Sequence, residues 1–165
     1  MKLNLGIIAI AGFVLLGAGC ASNEPNSISN GVTGTQAPAP QSAVRLDLSG
    51  SGLSSVSLSV FSRTELEVLD LSNNSLTGAL PSQIGQLKKL RVLDASGNRM
   101  TGVPAEIGQL SALQDLDLSE NALTGLPMEL GNLQNLRRLD LRGNNVSQQD
   151  LDQIRAKLTG TEILL

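Results

Sequence analysis

The 165-residue sequence contains no His, Trp or Tyr, one Cys and two Phe. The lack of His excludes imidazole acid–base catalysis, Ser-His-Asp or Cys-His nucleophiles, and zinc or haem sites that use His. An enzyme would have to work with carboxylates, Lys, Arg and hydroxyl groups. The scarcity of aromatic rings argues against stacking of nucleobases or sugars. We therefore expect no catalytic residue, no metal and no cofactor.

Charge of positive sign is also scarce. The chain carries a formal net charge of −3 and has no basic tract. A mildly acidic protein of this kind is a poor ligand for the phosphate backbone, so nucleic acid is not an expected partner.

The N-terminus has the composition of an export signal. Lys2 is followed by an uncharged apolar segment, Leu5–Leu16, and then by small residues up to the single cysteine, Cys20. A segment of this length is too short to span a bilayer as a helix and is typical of a secretory signal peptide, which we assign to residues 1–19.

The end of this segment, LLGAGC, resembles the lipobox of bacterial lipoproteins, in which the cysteine becomes the first residue and carries the lipid. The resemblance implies lipidation of Cys20, although Gly17 stands where that motif usually has Leu, Val or Ile. An ordinary signal peptide with an incidental cysteine is the alternative. Residues 20–42, rich in Ser, Asn, Pro, Gly and Thr, are predicted to form a disordered tether. Ala21 after the cysteine favours the outer membrane by the rule for that family, so the expected location is the cell envelope, with a lipid anchor.

The rest of the chain is repetitive. The segment LQDLDLSENALTGLP, which begins at Leu113, recurs as LEVLDLSNNSLTGALP, LRVLDASGNRMTGVP and LRRLDLRGNNVS, with a divergent first copy, AVRLDLSGSGLSSV. The central leucines of the copies, spaced by 23, 24, 23 and 23 residues, are Leu46, Leu69, Leu93, Leu116 and Leu139. A fixed period of this size predicts a solenoid, because each unit must stack on its neighbours to bury its apolar face.

The pattern LxxLDLSxNxLTGLPxxIGxL resembles the leucine-rich repeat family over residues 43–165. The resemblance implies an α/β fold: a right-handed solenoid of about five repeats with a parallel β-sheet on the concave face and short helices or helical turns on the convex face. We expect each LxL to form a strand, each recurring bend asparagine to tolerate left-handed backbone and bond the main chain, and each Pro to open a short helical turn. Residues 147–165 should form a capping helix and a last strand.

Residues flanking the core leucines should determine what the inner sheet face binds, because in this family that face commonly carries the ligand. Aligning the five copies gives a first column, a second, all-aspartate column and a third, mostly serine column. The candidate partner-binding residues in these columns are Arg45, Val68, Val92, Asp115 and Arg138; Asp47, Asp70, Asp94, Asp117 and Asp140; and Arg142.

The aspartate column permits two interpretations. It is a docking strip for a basic peptide, a cationic surface or divalent ions, or its carboxylates bond nearby backbone and side chains as part of the repeat. Arg45, Arg138 and Arg142 should offset the repulsion along the row, and Val68 with Val92 offers an apolar contact for a protein.

The sequence therefore predicts a membrane-anchored bacterial lipoprotein that binds an unidentified protein or peptide, with a basic one as a candidate, through the inner sheet face and without catalysis. A structural envelope protein without a dedicated ligand is the alternative, and a carboxylate-dependent hydrolase is the third.

Overall fold

The Leu-Asp pairs of the repeats form short parallel strands, as the alternation of apolar and polar residues predicts. The computed structural model describes residues 43–165, so the predicted signal peptide, Cys20 and the tether lie outside the described residues. The main sheet has six strands, which lie side by side in chain order. Their bounds are β1 Arg45–Asp47, β2 Val68–Asp70, β4 Val92–Asp94, β6 Asp115–Asp117, β7 Arg138–Asp140 and β8 Glu162–Leu164.

The strand register keeps the repeats in step. Leu46 is opposite Leu69, and the same pairing continues through the central residue of every strand to Leu139 and Ile163. All five pairings are parallel, so each repeat adds one strand to the sheet. The predicted parallel sheet and repeat period are thereby confirmed.

A single apolar core runs along the stack. Its central leucines Leu69, Leu93 and Leu139 are completely buried, and Leu116 is 1% exposed. The opening leucines of the repeats, such as Leu66 and Leu90, pack into the same cluster. Because the leucines of one coil cover those of the next, the hydrophobic effect acts along the whole solenoid and not within one unit.

The bend asparagines connect neighbouring coils. Asn98 Nδ2 donates to the carbonyl oxygens of Ala95 (3.0 Å) in its own repeat and of Leu71 (3.0 Å) in the preceding one. Its Oδ1 accepts from the backbone N–H of Leu76 at 3.0 Å. The same contacts recur at the other ladder positions, which are Asn74, Asn121 and Asn144. The predicted bonding of the amides to main chain is confirmed.

The left-handed backbone lies one residue earlier than predicted. One residue before each ladder position φ is positive, at Gly50, Asn73, Gly97, Glu120 and Gly143, whereas none of the ladder asparagines has positive φ. Gly52 and Gly78 have positive φ as well. A ladder asparagine must aim its amide inward at two coils, and the preceding residue makes the reversal that allows this. Glu120, at φ 52°, is the one long side chain in this column and carries the steric cost of the left-handed region.

The outer side of the solenoid is built from single turns. Each proline precedes a 3₁₀ helix, and the three are Ser82–Gln86, Ala105–Gln109 and Met128–Asn132. Ile84, Ile107 and Leu130 point inward from these turns and are completely buried. Gly108 must be glycine because a Cβ there would overlap the carbonyl group of Glu129 in the next turn. The expected short helical turns are confirmed.

The first repeat differs from the others. Ser57 replaces the proline and caps helix α1, Leu58–Phe61, by accepting from the N–H of Ser59. Phe61, which stands where later repeats have Gly, is completely buried. Its ring fills the end of the core, as the sequence comparison between repeats indicates.

The other end closes with the predicted helix and strand. Helix α2, Gln148–Arg155, begins after Ser147, whose hydroxyl accepts from the N–H of Asp150. The Asp150 carboxylate does not bond back to the N–H of Ser147, as it would in a helix capping box. Its Oδ2 accepts from the N–H of Leu126 at 3.0 Å and so joins the helix to the preceding repeat. Strand β8 then extends the sheet beside β7.

A second, two-stranded sheet was not expected from the sequence. Strands β3, Thr77–Gly78, and β5, Arg99–Met100, pair in parallel at the bend.

No helix within residues 43–165 has the length and hydropathy needed to cross a membrane.

Replacing Asn98 by Ala should lower the free energy of unfolding by about 2–4 kcal/mol, because several buried backbone groups of two repeats lose their partners together. Chemical denaturation would measure the change. Asn132→Ala, at an exposed position, is the matched control and should stay within about 0.5 kcal/mol. An equal effect of the two substitutions would contradict the role of the asparagine ladder.

Candidate binding face

The solvent side of the six-stranded sheet, here called the sheet face, carries the predicted columns. The register aligns the first column, Arg45, Val68, Val92, Asp115 and Arg138, and extends it to Glu162. It aligns the second column, Asp47, Asp70, Asp94, Asp117 and Asp140, and extends it to Leu164. The structure thus places the predicted residues of these two columns on one face, with Arg142 just beyond the end of β7.

One oxygen of each aspartate is already engaged. Asp94 Oδ1 accepts from the backbone N–H of Ser96 at 2.9 Å and from its hydroxyl at 2.6 Å. Asp47, Asp70 and Asp117 make the same pair of bonds with the serine two residues on. These bonds give a hydrogen-bond acceptor to the backbone N–H that follows each strand, so one carboxylate oxygen has a structural role at each of these positions.

The N-terminal end of the aspartate column is neutralised by Arg45. Its Nη2 lies 3.2 Å from Asp70 Oδ2 and 3.5 Å from Asp47 Oδ2. The two Ser49 bonds hold the pKa of Asp47 below its usual value, and the arginine lowers it further. The first repeat therefore presents charge that is paired within the chain.

The C-terminal end is neutralised more completely. Asp140 has no exposed side-chain surface, and its Oδ2 lies 2.8 Å from Arg138 Nη2 and 2.6 Å from Arg142 Nη2. Arg142 also donates from Nε to Oδ1 at 2.9 Å, in place of the serine of the other repeats. Hydrogen bonds from Arg142 hold the pKa of Asp140 below its usual value. Among the predicted partner-binding residues, Asp140 is therefore unsuited to direct contact, because the two arginines cover it.

The centre of the sheet face keeps unpaired negative charge. Within residues 43–165, no Lys or Arg nitrogen lies within 4 Å of the carboxylates of Asp94, Asp115 or Asp117. These three side chains surround a shallow depression of about 230 Å³, which Val92 and Arg138 also line. Val68 lies beside Val92 in the register, and both are half-buried, so the apolar pair borders the acidic centre.

A family model described as a leucine-rich repeat region matches residues 45–159, which is more than half of the chain. The chain belongs to the leucine-rich repeat family. The matched span contains the repeats that the sequence period and the strand register define.

Known leucine-rich repeat proteins of different origin resemble this chain. A leucine-rich repeat protein of Leptospira interrogans superposes with a TM-score of 0.65 at 41% identity, over 68% of this chain and 28% of that one. The plant peptide hormone receptor RGFR1, solved in complex with RGF2, superposes with a TM-score of 0.60 at 35% identity, over 73% of this chain and 20% of the receptor. Mouse Tsukushi is 38% identical over 95 residues, which are 56% of this chain and 25% of Tsukushi.

The leucine-rich repeat region of this protein is short beside these relatives. The chain spans about a quarter of the length of Tsukushi and of the Leptospira protein. The likeness therefore concerns a set of repeats and not the whole of the larger proteins.

A further row of polar side chains runs beside the sheet face of this leucine-rich repeat domain and was missed by the sequence alignment of three columns. Arg91 lies 3.7 Å from Glu67 Oε2 and donates to Gln114 Oε1 at 3.4 Å. The three residues stand directly before the first column, so extending the alignment by one position would have found them. Glu120, in the left-handed position, adds an exposed carboxylate group to this region. The pKa of Arg142 is raised mainly by its hydrogen bond and charge interaction with Asp140, and the charges of Asp117 and Glu120 add to that effect.

The described residues offer little for metal chemistry. Residues 43–165 contain no group of three or more His, Cys, Asp or Glu side chains arranged to hold a metal ion. Asp94 and Asp117 are register partners on neighbouring strands, which lie about 4.8 Å apart, and Asp115 precedes Asp117 by two residues on the same strand. All three are partly exposed, which suits contact with a partner better than enclosure of an ion.

Asp140 should make stability pH-dependent in the acid range. Because its pKa is lowered in the folded state, its contribution is present at neutral pH and is lost as the pH falls through that lowered value, below 3.8. Asp140→Asn should cost about 1 kcal/mol at pH 6, since both arginines are half-exposed, and should flatten the loss of stability below about pH 4. Urea unfolding between pH 2 and pH 6 would measure both effects. Asp152→Asn, at an exposed carboxylate, is the control; an unchanged acid limb in Asp140→Asn would contradict the assignment.

Proposed function

We propose that this protein is a lipid-anchored bacterial envelope protein whose leucine-rich repeat domain binds a protein or peptide through the centre of the sheet face, without catalysis. The proposed partner presents Lys or Arg side chains, because the unpaired charge of that centre is negative. The proposal assigns direct contact to Asp94, Asp115 and Asp117 and to the apolar pair Val68 and Val92.

One observation carries the proposal. Arginines pair with carboxylates at the two ends of the aspartate column, whereas the three central carboxylates have no Lys or Arg nitrogen within 4 Å in the part of the chain that the structure describes. Arg138 lines the same depression, but its ion pair is with Asp140. Like charges placed about 4.8 Å apart repel, so leaving this centre unpaired costs stability. A cationic group of a partner would remove that repulsion and gain contact with the half-buried valines at the same time.

The shape of the centre favours a macromolecular partner. The depression is open to solvent and holds about 230 Å³, which is less than the roughly 300–1,000 Å³ of typical small-molecule pockets. A single Lys or Arg side chain of an extended segment would fit such a depression, while the rest of the segment lies along the sheet face.

The relatives support recognition as the general role. RGFR1 is described as a peptide hormone receptor and was solved with RGF2 bound. The Leptospira protein shows that closely similar repeats occur in bacteria. Neither comparison identifies a partner for this chain; the negative charge at the centre of the sheet face is what favours a basic one.

The anchor is proposed from the sequence. Lipid on Cys20 would attach the domain to the membrane, with residues 21–42 as a spacer of about 25 Å if they behave as a flexible coil. The outer membrane is the proposed location, because Ala21 follows the cysteine.

A structural envelope protein without a ligand is the second candidate. The observation in its favour is that each serine-paired aspartate already uses one oxygen to satisfy its own strand end. Under this function the second oxygen merely faces water, and the sheet face binds nothing specific.

Replacing Asp94 and Asp117 together by Asn should weaken binding of a fluorescent Arg-Ser repeat peptide about tenfold or more, because two charged contacts disappear. Asn keeps the oxygen that accepts from Ser96 and Ser119, so the fold should be retained. Fluorescence anisotropy at physiological salt would measure the dissociation constants.

The matched control changes the same charge elsewhere. Glu106→Gln with Glu129→Gln removes two carboxylates from the 3₁₀ helices on the outer side and should leave binding of the peptide unchanged. Equal weakening in both double variants would reduce the effect to net charge and favour the structural alternative. An absence of binding in the unaltered protein would reject a basic partner.

Growth with a palmitate analogue should label the protein, and Cys20→Ser should abolish the label, because this is the sole cysteine. In-gel detection after immunoprecipitation would measure incorporation. Retained label in Cys20→Ser, or none in the unaltered protein, would contradict the proposed anchor.

A further inference from the structure

The outer edge of β1 is open within the described residues. β1 stands at the end of the strand order, with β2 on its one paired side. The backbone N–H of Leu48 donates to the backbone carbonyl oxygen of Asp70. The backbone carbonyl oxygen of Val44 accepts from the backbone N–H groups of Glu67 and Val68. Since alternate residues of a strand bond to opposite sides, the backbone groups of Arg45 and Asp47 point away from β2.

The sequence of this edge, Arg45-Leu46-Asp47, complements itself. In an antiparallel pair of two copies centred on Leu46, each Arg45 lies opposite the Asp47 of the other copy. Both of these residues direct their backbone groups outward, so they fall at the hydrogen-bonded positions of the new ladder, while the two Leu46 residues form the non-hydrogen-bonded pair between them. Moving the two-fold axis by one residue, to Arg45 or to Asp47, slides the two strands past each other by two residues and would bring Arg45 opposite Arg45 or Asp47 opposite Asp47.

Exposed apolar side chains also lie in the first repeat. Val44 is 48% exposed and Leu58 is 56% exposed, and they lie in the first repeat with the partly buried Leu46, Leu48 and Leu53. The opposite end of the solenoid is closed by α2 and β8, whereas the first repeat has only the short α1. An unpaired strand edge is a template for pairing with another chain.

We propose that the open edge of β1 is a self-association site, at which a second copy of this chain pairs in antiparallel orientation about a two-fold axis through Leu46. The two sheets become one continuous sheet, and both sheet faces point to the same side. The contact is isologous and therefore closed, so it stops at a dimer.

Charge complementarity favours this arrangement over a head-to-tail stack. If β8 of one copy continued the parallel sheet beside β1 of the next, Glu162 would meet Arg45, but Leu164 would lie opposite Asp47. In the two-fold arrangement, Arg45 of each copy lies opposite Asp47 of the other, so two pairs of opposite charge form. It also leaves Asp94, Asp115 and Asp117 outside the contact, so the proposed dimer and the proposed partner binding can be tested independently.

Sedimentation equilibrium of the full chain in density-matched detergent tests the proposal. The unaltered protein should be a dimer that dissociates on dilution. Arg45→Asp alone places Asp opposite Asp, and Asp47→Arg alone places Arg opposite Arg, so each should weaken the dimer at least about tenfold. An equimolar mixture of the two variants should dimerise again, because each Asp of one then meets an Arg of the other. The double reversal Arg45→Asp/Asp47→Arg should also dimerise.

A single substitution at Arg45 also removes the Arg45–Asp70 ion pair and could loosen β1, which circular dichroism would report. Recovery of the dimer in the mixture of the two variants distinguishes loss of the intermolecular pairs from such loosening. Glu162→Lys is the matched control and should leave the dimer unchanged. A monomer at all concentrations, as expected if residues 21–42 cover the edge, would overturn the proposal. So would association lost in Glu162→Lys, which indicates head-to-tail stacking, or association that persists equally in both single variants.

Discussion

Stacking of one coil on the next is the constraint on which this structure depends. A coil of 23 or 24 residues cannot enclose its own leucines, and at the bend it leaves several backbone groups without partners. The ladder asparagines satisfy those groups in two coils at once: Asn98 bonds carbonyls of both its own and the preceding repeat. Core leucines supply the non-directional stabilisation, and the amides fix the rotation between coils. The in-register sheet follows from that fixed rotation.

The sheet face inherits its chemistry from the same repetition. A carboxylate at each strand end satisfies the backbone of its own turn through one oxygen, so the repeat places five aspartates in a row whether or not a ligand exists. The sequence differs between the ends and the centre of that row. Arg45 at one end and Arg138 with Arg142 at the other pair with the terminal carboxylates, which concentrates the unpaired charge in the third and fourth repeats.

A parallel sheet built by stacking has two edge strands, and the two ends of this solenoid are built in different ways. At the C-terminal end, α2 covers the core and Asp150 joins that helix to the preceding repeat. At the N-terminal end, Phe61 fills the interior, but the edge of β1 keeps outward backbone groups and a self-complementary Arg-Leu-Asp sequence. The proposed partner binding at the centre and the proposed association at the edge would use different residues of one surface.

The sequence alone determined the period, the parallel sheet, the outer turns after each proline, the terminal helix and strand, and which residues form the two columns. It could do so because each of these depends on apolar spacing and backbone chemistry repeated in every copy. Only the tertiary structure decided that Asp140 is buried beneath two arginines, that the left-handed position is filled by Glu120 and not by a ladder asparagine, and that Asp150 bonds Leu126. Those features depend on where side chains of adjacent coils end relative to one another, and one-dimensional spacing does not specify that distance.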